Sequence, residues 1–402
     1  MVSWYKKIIR ALFLYPIFYF IAVYINFKKP TFRIGILRSS RIGHLVGDVD
    51  LALTPLIFTT SGGKKLKIYF VTENIICNFY ALQLVQRIKS EKFDLEIKTS
   101  LFFREYCNYI QKNSTFKRQF FETRWLGKET SKVIQQPSIF QVTYEERKVF
   151  DGWINNNDFI DSRKPFIFLH NRDSSYLPQL SYHSYRDFSP KVFETIIESF
   201  KENYNFFRGG KKASEPLDSN LKSNLIDLPF TQHSDLIDFL AQDKSVFYFG
   251  SESGINSIST IFRKPLAIVN HLSTNYSHIR RLNHLELGFI PKKIFSRNAN
   301  KLVGLIEMYE NNWRNFWSTM QYEDAGLELK ENTQDEILNF FNECLNLYEE
   351  KTQKDQVLTP EQEEFWKIVT FYEPESFGEK LILDNCFIGT SYLKNNSYLI
   401  EN

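Results

Sequence analysis

From Lys164 to Asn270 the chain alternates short apolar runs with helical segments, and this alternation constrains the fold more than any other feature. The runs are Phe166–His170, Asn205–Gly210, Leu225–Phe230, Ser245–Gly250 and Lys264–Asn270. Between them lie a helix with a start signal at Ser189-Pro190, a helix that Ser234 can cap, and the loop and helix of SESGINSISTIF. Strand, loop, helix and strand in repetition describe a parallel sheet with helical crossovers.

A weaker version of the same pattern comes earlier. FRIGILRSS (Phe32–Ser40) reads as a strand entering a polar turn, and the spacing of Leu45, Val49, Ala52, Leu53 and Leu56 is helical. KLKIYFVT (Lys65–Thr72) is a second strand, followed by a helix around Ile76–Ile88. Residues 114–139 are polar and match neither period, and helical patterns dominate after Pro291. A length of 402 residues suits two domains at roughly 100–200 residues each. The boundaries expected are 1–29 for an N-terminal segment, 30–160 and 161–325 for two α/β domains, and 326–402 for a helical tail.

Ala11–Ile25 carries no charge and is flanked by Lys6, Lys7 and Arg10 before it and by Lys28, Lys29 and Arg33 after it. A spanning helix needs about 20 apolar residues, and this run is shorter and contains Pro16. No small-residue cleavage site follows it, so a removable signal is not expected. Its Phe and Tyr content and basic flanks fit a segment that contacts or anchors in the inner face of the plasma membrane, with the body in the cytoplasm.

Charge excludes one partner class. Lys and Arg number 50 against 47 Asp and Glu, and no block of like charge stands out, so no nucleic-acid surface is expected. Cys77, Cys107, Cys344 and Cys386 are far apart with no metal-ligand spacing, as in a reduced protein with buried thiols. Elbow, P-loop, zincin and dinucleotide fingerprints are all missing from the sequence.

The chemistry-bearing residues gather at strand ends. In YFGSESGINSIST an apolar strand ends at Gly250, and Ser251, Glu252, Ser253 and Gly254 form a turn before a helix, whose free amides would suit an anion. HNRDSSY puts Arg172 past another strand, where a guanidinium can hold a phosphate or else pair with Asp173. FFRGG adds Arg208, Gly209 and Gly210 at a third. In RSSRIGHLVGDVD, His44 and Asp48 are candidate bases for taking a hydroxyl proton, near Gly43 and Gly47. Asp48-Val49-Asp50 is formally a D-x-D, but it falls where the spacing turns helical, so no metal is expected there; arginine and backbone amides can neutralise a leaving diphosphate.

HNRDSSYL, SYHSYRDFSP, FFRGG and the run from DLIDFLAQD to KPLAIVN resemble a family of bacterial glycosyltransferases associated with surface polysaccharides. IPKKIFS and IGTSYLKNN are similar too, and the resemblance extends from about Phe32 onward, weakest between Cys107 and Asn155. More distantly, the strand-end arginine and the serine loop resemble fucosyltransferase-like enzymes, in which they hold a diphosphate. Those enzymes often carry a second basic residue where this chain has Asn171 and Asp173. RIGILRSSRIGHLVGD is similar to the first strand and turn of heptose-transferring enzymes. The resemblance implies an α/β fold of GT-B type: two Rossmann-like domains with parallel sheets facing a central cleft, and C-terminal helices that cross back to the first. It implies a nucleotide-sugar donor whose diphosphate is held by Arg172, Ser251 and Ser253, and a glycan or lipid-linked acceptor; the strand-end residues Arg208, Gly209, Glu252 and Gly254 are expected to complete that site, with no cofactor or metal. A non-hydrolysing nucleotide-sugar epimerase and a non-catalytic scaffold protein of polysaccharide assembly are the alternative readings.

Overall fold

A computed structural model describes residues 13–29, 31–58, 64–123, 130–157, 160–176, 178–272, 286–350, 357–373 and 387–401. The chain divides into two compact units, one of residues 1–126 with 138–142, the other of 127–137 with 143–402. The boundary therefore falls near 143 rather than at 160.

The first unit is built on a parallel three-stranded sheet of order β1-β2-β3, with β1 Phe32–Leu37, β2 Leu66–Thr72 and β3 Phe93–Lys98. Helix α1 (Tyr15–Lys28) precedes β1, α2 (Val49–Phe58) and α3 (Phe79–Gln86) make the crossovers, and α4 (Leu101–Lys112) follows β3. The strand β3 went unread because only Phe93, Leu95 and Ile97 of FDLEIK are apolar; the alternate Asp94, Glu96 and Lys98 mimic a loop.

Residues 1–29 were expected to form a membrane-contacting segment of their own. Among the described residues α1 packs into the first unit: Phe18, Ala22 and Ile25, one helical face at i, i+4 and i+7, pack in a core with Tyr106, Cys107 and Ile110 of α4 and Ile34 and Val71 of the sheet. Gln119 Nε2 donates to the carbonyl of Ala22 at 2.8 Å and to Asn26 Oδ1 at 2.7 Å, fixing the helix further. No helix among the described residues is long and apolar enough to cross a membrane.

The second unit opens with the short α5 (Thr130–Ile134) and α6 (Tyr144–Asn155), the latter closed by a reciprocal Thr143–Glu146 cap. Its sheet has six parallel strands: β4 Phe166–His170, β5 Asn205–Arg208, β6 Leu225–Asp227, β7 Tyr248–Gly250, β8 Leu266–His271 and β9 Glu286–Pro291. Helices α7 (Val192–Phe200), α8 (Asp235–Lys244) and α9 (Asn256–Ile261) connect them. Ser234 stands at the N-cap of α8, but its hydroxyl makes no cap bond. Every side chain of β4 is buried, as are those of β5 and β7, which is why these strands read as continuous apolar runs.

Beyond β9 a small antiparallel sheet of order β11-β10-β12 forms from β10 Lys293–Ser296, β11 Lys301–Leu302 and β12 Leu327–Lys330. Helices α10 (Leu305–Glu310) and α11 (Thr319–Asp324) lie between β11 and β12. The tail comprises α12 (Gln334–Glu350), α13 (Pro360–Tyr372) and α14 (Thr390–Asn395). It belongs to the second unit, where a return to the first was expected. Phe340 and Phe341 of α12 pack on Phe249 with ring centroids 6.0 and 5.0 Å away. Residues 387–389 extend the sheet, with the Phe289 amide donating to the Phe387 carbonyl at 2.7 Å and the Gly389 amide to the Phe289 carbonyl at 3.0 Å. Apolar faces on the tail helices announce burial but not the partner, and the partner is this sheet, the β7 ring of Phe249 for α12 and the β9 edge for residues 387–389.

Cys77, Cys107 and Cys344 are buried; Cys386 lies outside the described residues.

Candidate functional site

The strand order of the large sheet is β6-β5-β4-β7-β8-β9. Counted from its first strand this is 3-2-1-4-5-6, the doubly wound order of dinucleotide-binding folds. The order reverses between β4 and β7, where the connections leave in opposite directions and open a crevice beyond the carboxyl ends of the strands. Two of the segments singled out in the sequence, His170–Asp173 and Gly250–Gly254, meet at this point.

Their contact is direct. The Arg172 amide donates to Ser251 Oγ at 2.8 Å, and the Ser251 amide donates to the His170 carbonyl at 2.9 Å. Ser251 is 1% exposed, and the Tyr248 hydroxyl donates to its carbonyl at 2.7 Å. Its hydroxyl was expected to face a phosphate; it ties the two strand ends together instead. Gly250 is required by the same approach, since a Cβ there would lie 1.9 Å from the His170 carbonyl oxygen. Glu252 and Ser253 are half-buried and Gly254 is exposed, so these three form the outer part of the loop. Glu252 Oε2 lies 3.3 Å from Nδ1 of His271, at the end of β8. The helix expected to begin directly after this turn starts only at Asn256 and has six residues, with no side-chain cap, so its dipole alone makes no anion site.

Arg172 is paired, though not with Asp173. One guanidinium nitrogen donates to Asp187 Oδ1 and, at 3.1 Å, to the His183 carbonyl. Asp173 holds a different loop: its carboxylate accepts from the amides of Ser175 and Ser214, each at 2.9 Å. Burial would raise the pKa of Asp173, but the Ser175 and Ser214 hydrogen bonds outweigh it and the net direction is down.

Arg208 and Gly209 depart furthest from expectation. The Arg208 side chain is wholly buried, with Nη1 donating to the Glu215 carbonyl at 2.9 Å and to Asp227 Oδ2 at 3.3 Å. Arg208 and Asp227 are register partners on adjacent strands. Burial lowers the Arg208 pKa and raises that of Asp227, each opposed by the other's charge. With no exposed surface, the Arg208 guanidinium braces β5 against β6 in this structure. Gly209 is glycine for a packing reason: a Cβ there would sit 1.9 Å from the Phe168 ring.

Three residues of the site were not singled out from sequence. Lys292, just after β9, is 6% exposed, and its Nζ donates to the carbonyls of Tyr185 at 3.1 Å and Asp187 at 2.6 Å. Burial lowers its pKa against the pull of Glu331 and Asp187. Asp187 is held by both Arg172 and Lys292. A lysine directly after an apolar strand was the signal available for Lys292; nothing local marks Asp187. Lys292 and Asp187 line a cavity of about 460 Å³ beside the crevice, with Tyr185, Arg297, Glu328 and Glu331 among its walls. Carboxylates outnumber cations in that lining, which suits hydroxyl donors better than phosphate.

His170 is the third. It is buried, and its Nδ1 donates to the Gly209 carbonyl at 2.8 Å. Burial pushes its pKa down to about 4, past the small upward pull of that bond. An unfolded histidine binds a proton near pH 6.5, so between pH 6.5 and about 4 the unfolded chain holds the extra proton and stability falls as pH falls. The expected loss is about 3 kcal/mol across that window, and it should be absent in His170→Gln. Urea midpoints of the two proteins at pH 7 and 4.5 measure it.

In the first unit, Gly43–Asp48 forms a π-helical turn leading into α2. His44 Nδ1 lies 3.1 Å from Asp48 Oδ2, with the His44 side chain 37% exposed and that of Asp48 9%. A carboxylate oxygen accepts, so Nδ1 is the donor in this contact and Nε2 lies on the other side of the ring. The Asp50 carboxylate accepts from Thr54 Oγ1 at 2.8 Å, so the two acids of the D-x-D have separate partners along the helix. Among the described residues, no three His, Cys, Asp or Glu side chains gather as a metal-ligand set.

No family model and no curated protein matches the sequence. Among solved structures, the chain is similar to E. coli ADP-heptose LPS heptosyltransferase II, at a TM-score of 0.37 and 10% identity, over 59% of this chain and 84% of that one.

Proposed function

We propose that the protein is a glycosyltransferase that takes its sugar from a nucleotide-diphosphate donor bound in the second unit and passes it to a glycan or lipid-linked acceptor in cell-surface polysaccharide synthesis. The observation that carries this reading is the meeting of the Arg172 and Ser251–Gly254 loops where the order of the six-stranded sheet reverses. Doubly wound folds bind nucleotides at that place. The motif resemblance points to the same loops.

Under this reading the amides of Glu252–Gly254 and the Arg172 guanidinium receive the diphosphate, and Arg172 exchanges its bond to Asp187 for one to phosphate. Charge appearing on the leaving diphosphate is then met by the Arg172 guanidinium, with the buried Lys292 charge nearby, and no metal is required. The cavity beside them takes the sugar, whose hydroxyls suit its carboxylates. His44, oriented by Asp48, removes the acceptor hydroxyl proton.

Thermal unfolding with GDP, UDP, ADP and CMP, and with their sugar conjugates, tests the donor site. A ligand at a hundredfold excess over its dissociation constant adds about 2.7 kcal/mol. One nucleotide class should shift the midpoint, with or without EDTA, and Arg172→Ala should lose the shift relative to its own ligand-free midpoint. Silence across the whole panel overturns the donor site; a shift that needs a divalent ion overturns its metal independence.

A further inference from the structure

The buried face of α1 accounts for only half of that helix. Opposite Phe18, Ala22 and Ile25 runs a second apolar stripe, Ile17, Phe20, Tyr24 and Phe27, at i, i+3, i+7 and i+10. These side chains are 48%, 71%, 57% and 82% exposed, and Phe13 in the preceding turn is 65% exposed. Leu101 and Phe102 at the start of α4 add exposed apolar surface alongside, with the Phe102 ring 5.3 Å from that of Phe18. Soluble monomers rarely leave so continuous a patch in water.

Charge selects what covers it. Of the 50 Lys and Arg in the chain, eight lie in residues 1–47 (at 6, 7, 10, 28, 29, 33, 38 and 41), a stretch that holds none of the Asp and Glu. Lys28 and Lys29 stand exposed at the end of the stripe. Arg118 reaches the same end, its Nε donating to Asn26 Oδ1 at 3.1 Å. An aromatic stripe rimmed by cations is complementary to the headgroup region of an anionic bilayer, where aromatic rings settle and each basic residue near the surface adds attraction.

Geometry restricts how the helix can meet that bilayer. Its 14 residues extend about 21 Å at 1.5 Å each, short of the roughly 30 Å hydrocarbon core. Its other face is held in the protein core, so it cannot be surrounded by lipid. We infer that α1 lies in the plane of an anionic lipid surface, with Ile17, Phe20, Tyr24 and Phe27 inserted and Lys28, Lys29 and Arg118 over the headgroups. The membrane contact comes from a fixed face of the folded first unit, and no helix among the described residues is long and apolar enough to span a membrane. This inference is independent of the donor site.

The test is flotation of the full chain with vesicles of phosphatidylcholine alone and of phosphatidylcholine mixed with phosphatidylglycerol. Binding is expected to the mixed vesicles and to weaken as salt rises. Phe20→Ser with Phe27→Ser should lower the partition coefficient at least tenfold and leave the melting curve unchanged, because neither ring supports the core. Lys28→Glu with Lys29→Glu should remove the preference for phosphatidylglycerol. Failure of the wild-type chain to float with either vesicle overturns the inference, as does unchanged binding by the Phe20/Phe27 variant. A dimer in solution that this variant dissolves, without vesicle binding, would assign the stripe to a second copy of the chain.

Discussion

Alanine at position 44 is expected to lower kcat for sugar transfer by about 10²–10⁴-fold, the range in which a positioned general base contributes, and to leave the nucleotide-induced thermal shift intact. The selectivity follows from placement. His44 belongs to the first unit, while the loops proposed to hold the donor belong to the second. The Asp48 carboxylate accepts a hydrogen bond from Nδ1 at 3.1 Å, so the imidazole is oriented with Nε2 on the far side of the ring from its partner. The side chain is 37% exposed, enough to meet a hydroxyl, and truncating it opens no cavity in the core. Asp48→Asn should fall between wild type and His44→Ala in kcat, since the amide orients the ring less well and does not stabilise the imidazolium. Turnover under saturating donor, with the melting midpoint of each variant, decides the matter. A kcat within about threefold of wild type in His44→Ala would place the base elsewhere and leave the donor site standing.

How far the site could be read in advance depended on what each residue's side chain does after the strand ends. Strands β4, β5, β7 and β8 are enclosed on both faces, so they appear in sequence as unbroken apolar runs, and their order along the chain implied parallel pairing. That located Arg172 and Ser251 on one edge, and the sheet order brings them together at 2.8 Å. Their use of each other was not legible: a serine after a strand looks the same whether its hydroxyl meets a phosphate or the amide of a neighbouring loop. The same ambiguity hid Arg208, because its partner Asp227 is a neighbour only through register across β5 and β6. Strand β3 alternates charge with apolar residues, and β9 contains Gly288 and Pro291, so neither resembles the buried runs. In α1 the difficulty ran the other way. A helix apolar on nearly every side offers no periodic contrast to show which face meets the protein, and only the packing of Phe18, Ala22 and Ile25 separates the core face from the exposed one.

Removal of the Asp227 carboxylate as Asp227→Ala should destabilise the second unit by about 3–5 kcal/mol, the cost of leaving a buried charge without its partner. Arg208 has no exposed surface and Asp227 only 15%, so water cannot replace the lost partner. Nε and Nη2 of Arg208 and Oδ1 of Asp227 already find no hydrogen-bond partner among the described residues, and the ion pair is what holds the guanidinium between β5 and β6. Replacing both at once, Arg208→Met with Asp227→Leu, keeps the volume and removes the charge, and its cost should be near zero or reversed in sign. The pair of variants separates bracing from binding, which Arg208→Ala alone would confound. If Arg208 is bracing, the double variant unfolds in urea at about the wild-type midpoint and still shows the nucleotide shift that Arg172→Ala loses. If instead the double variant is stable but no longer responds to nucleotide, Arg208 reaches the donor and the second unit must open around β5 and β6 to bind it.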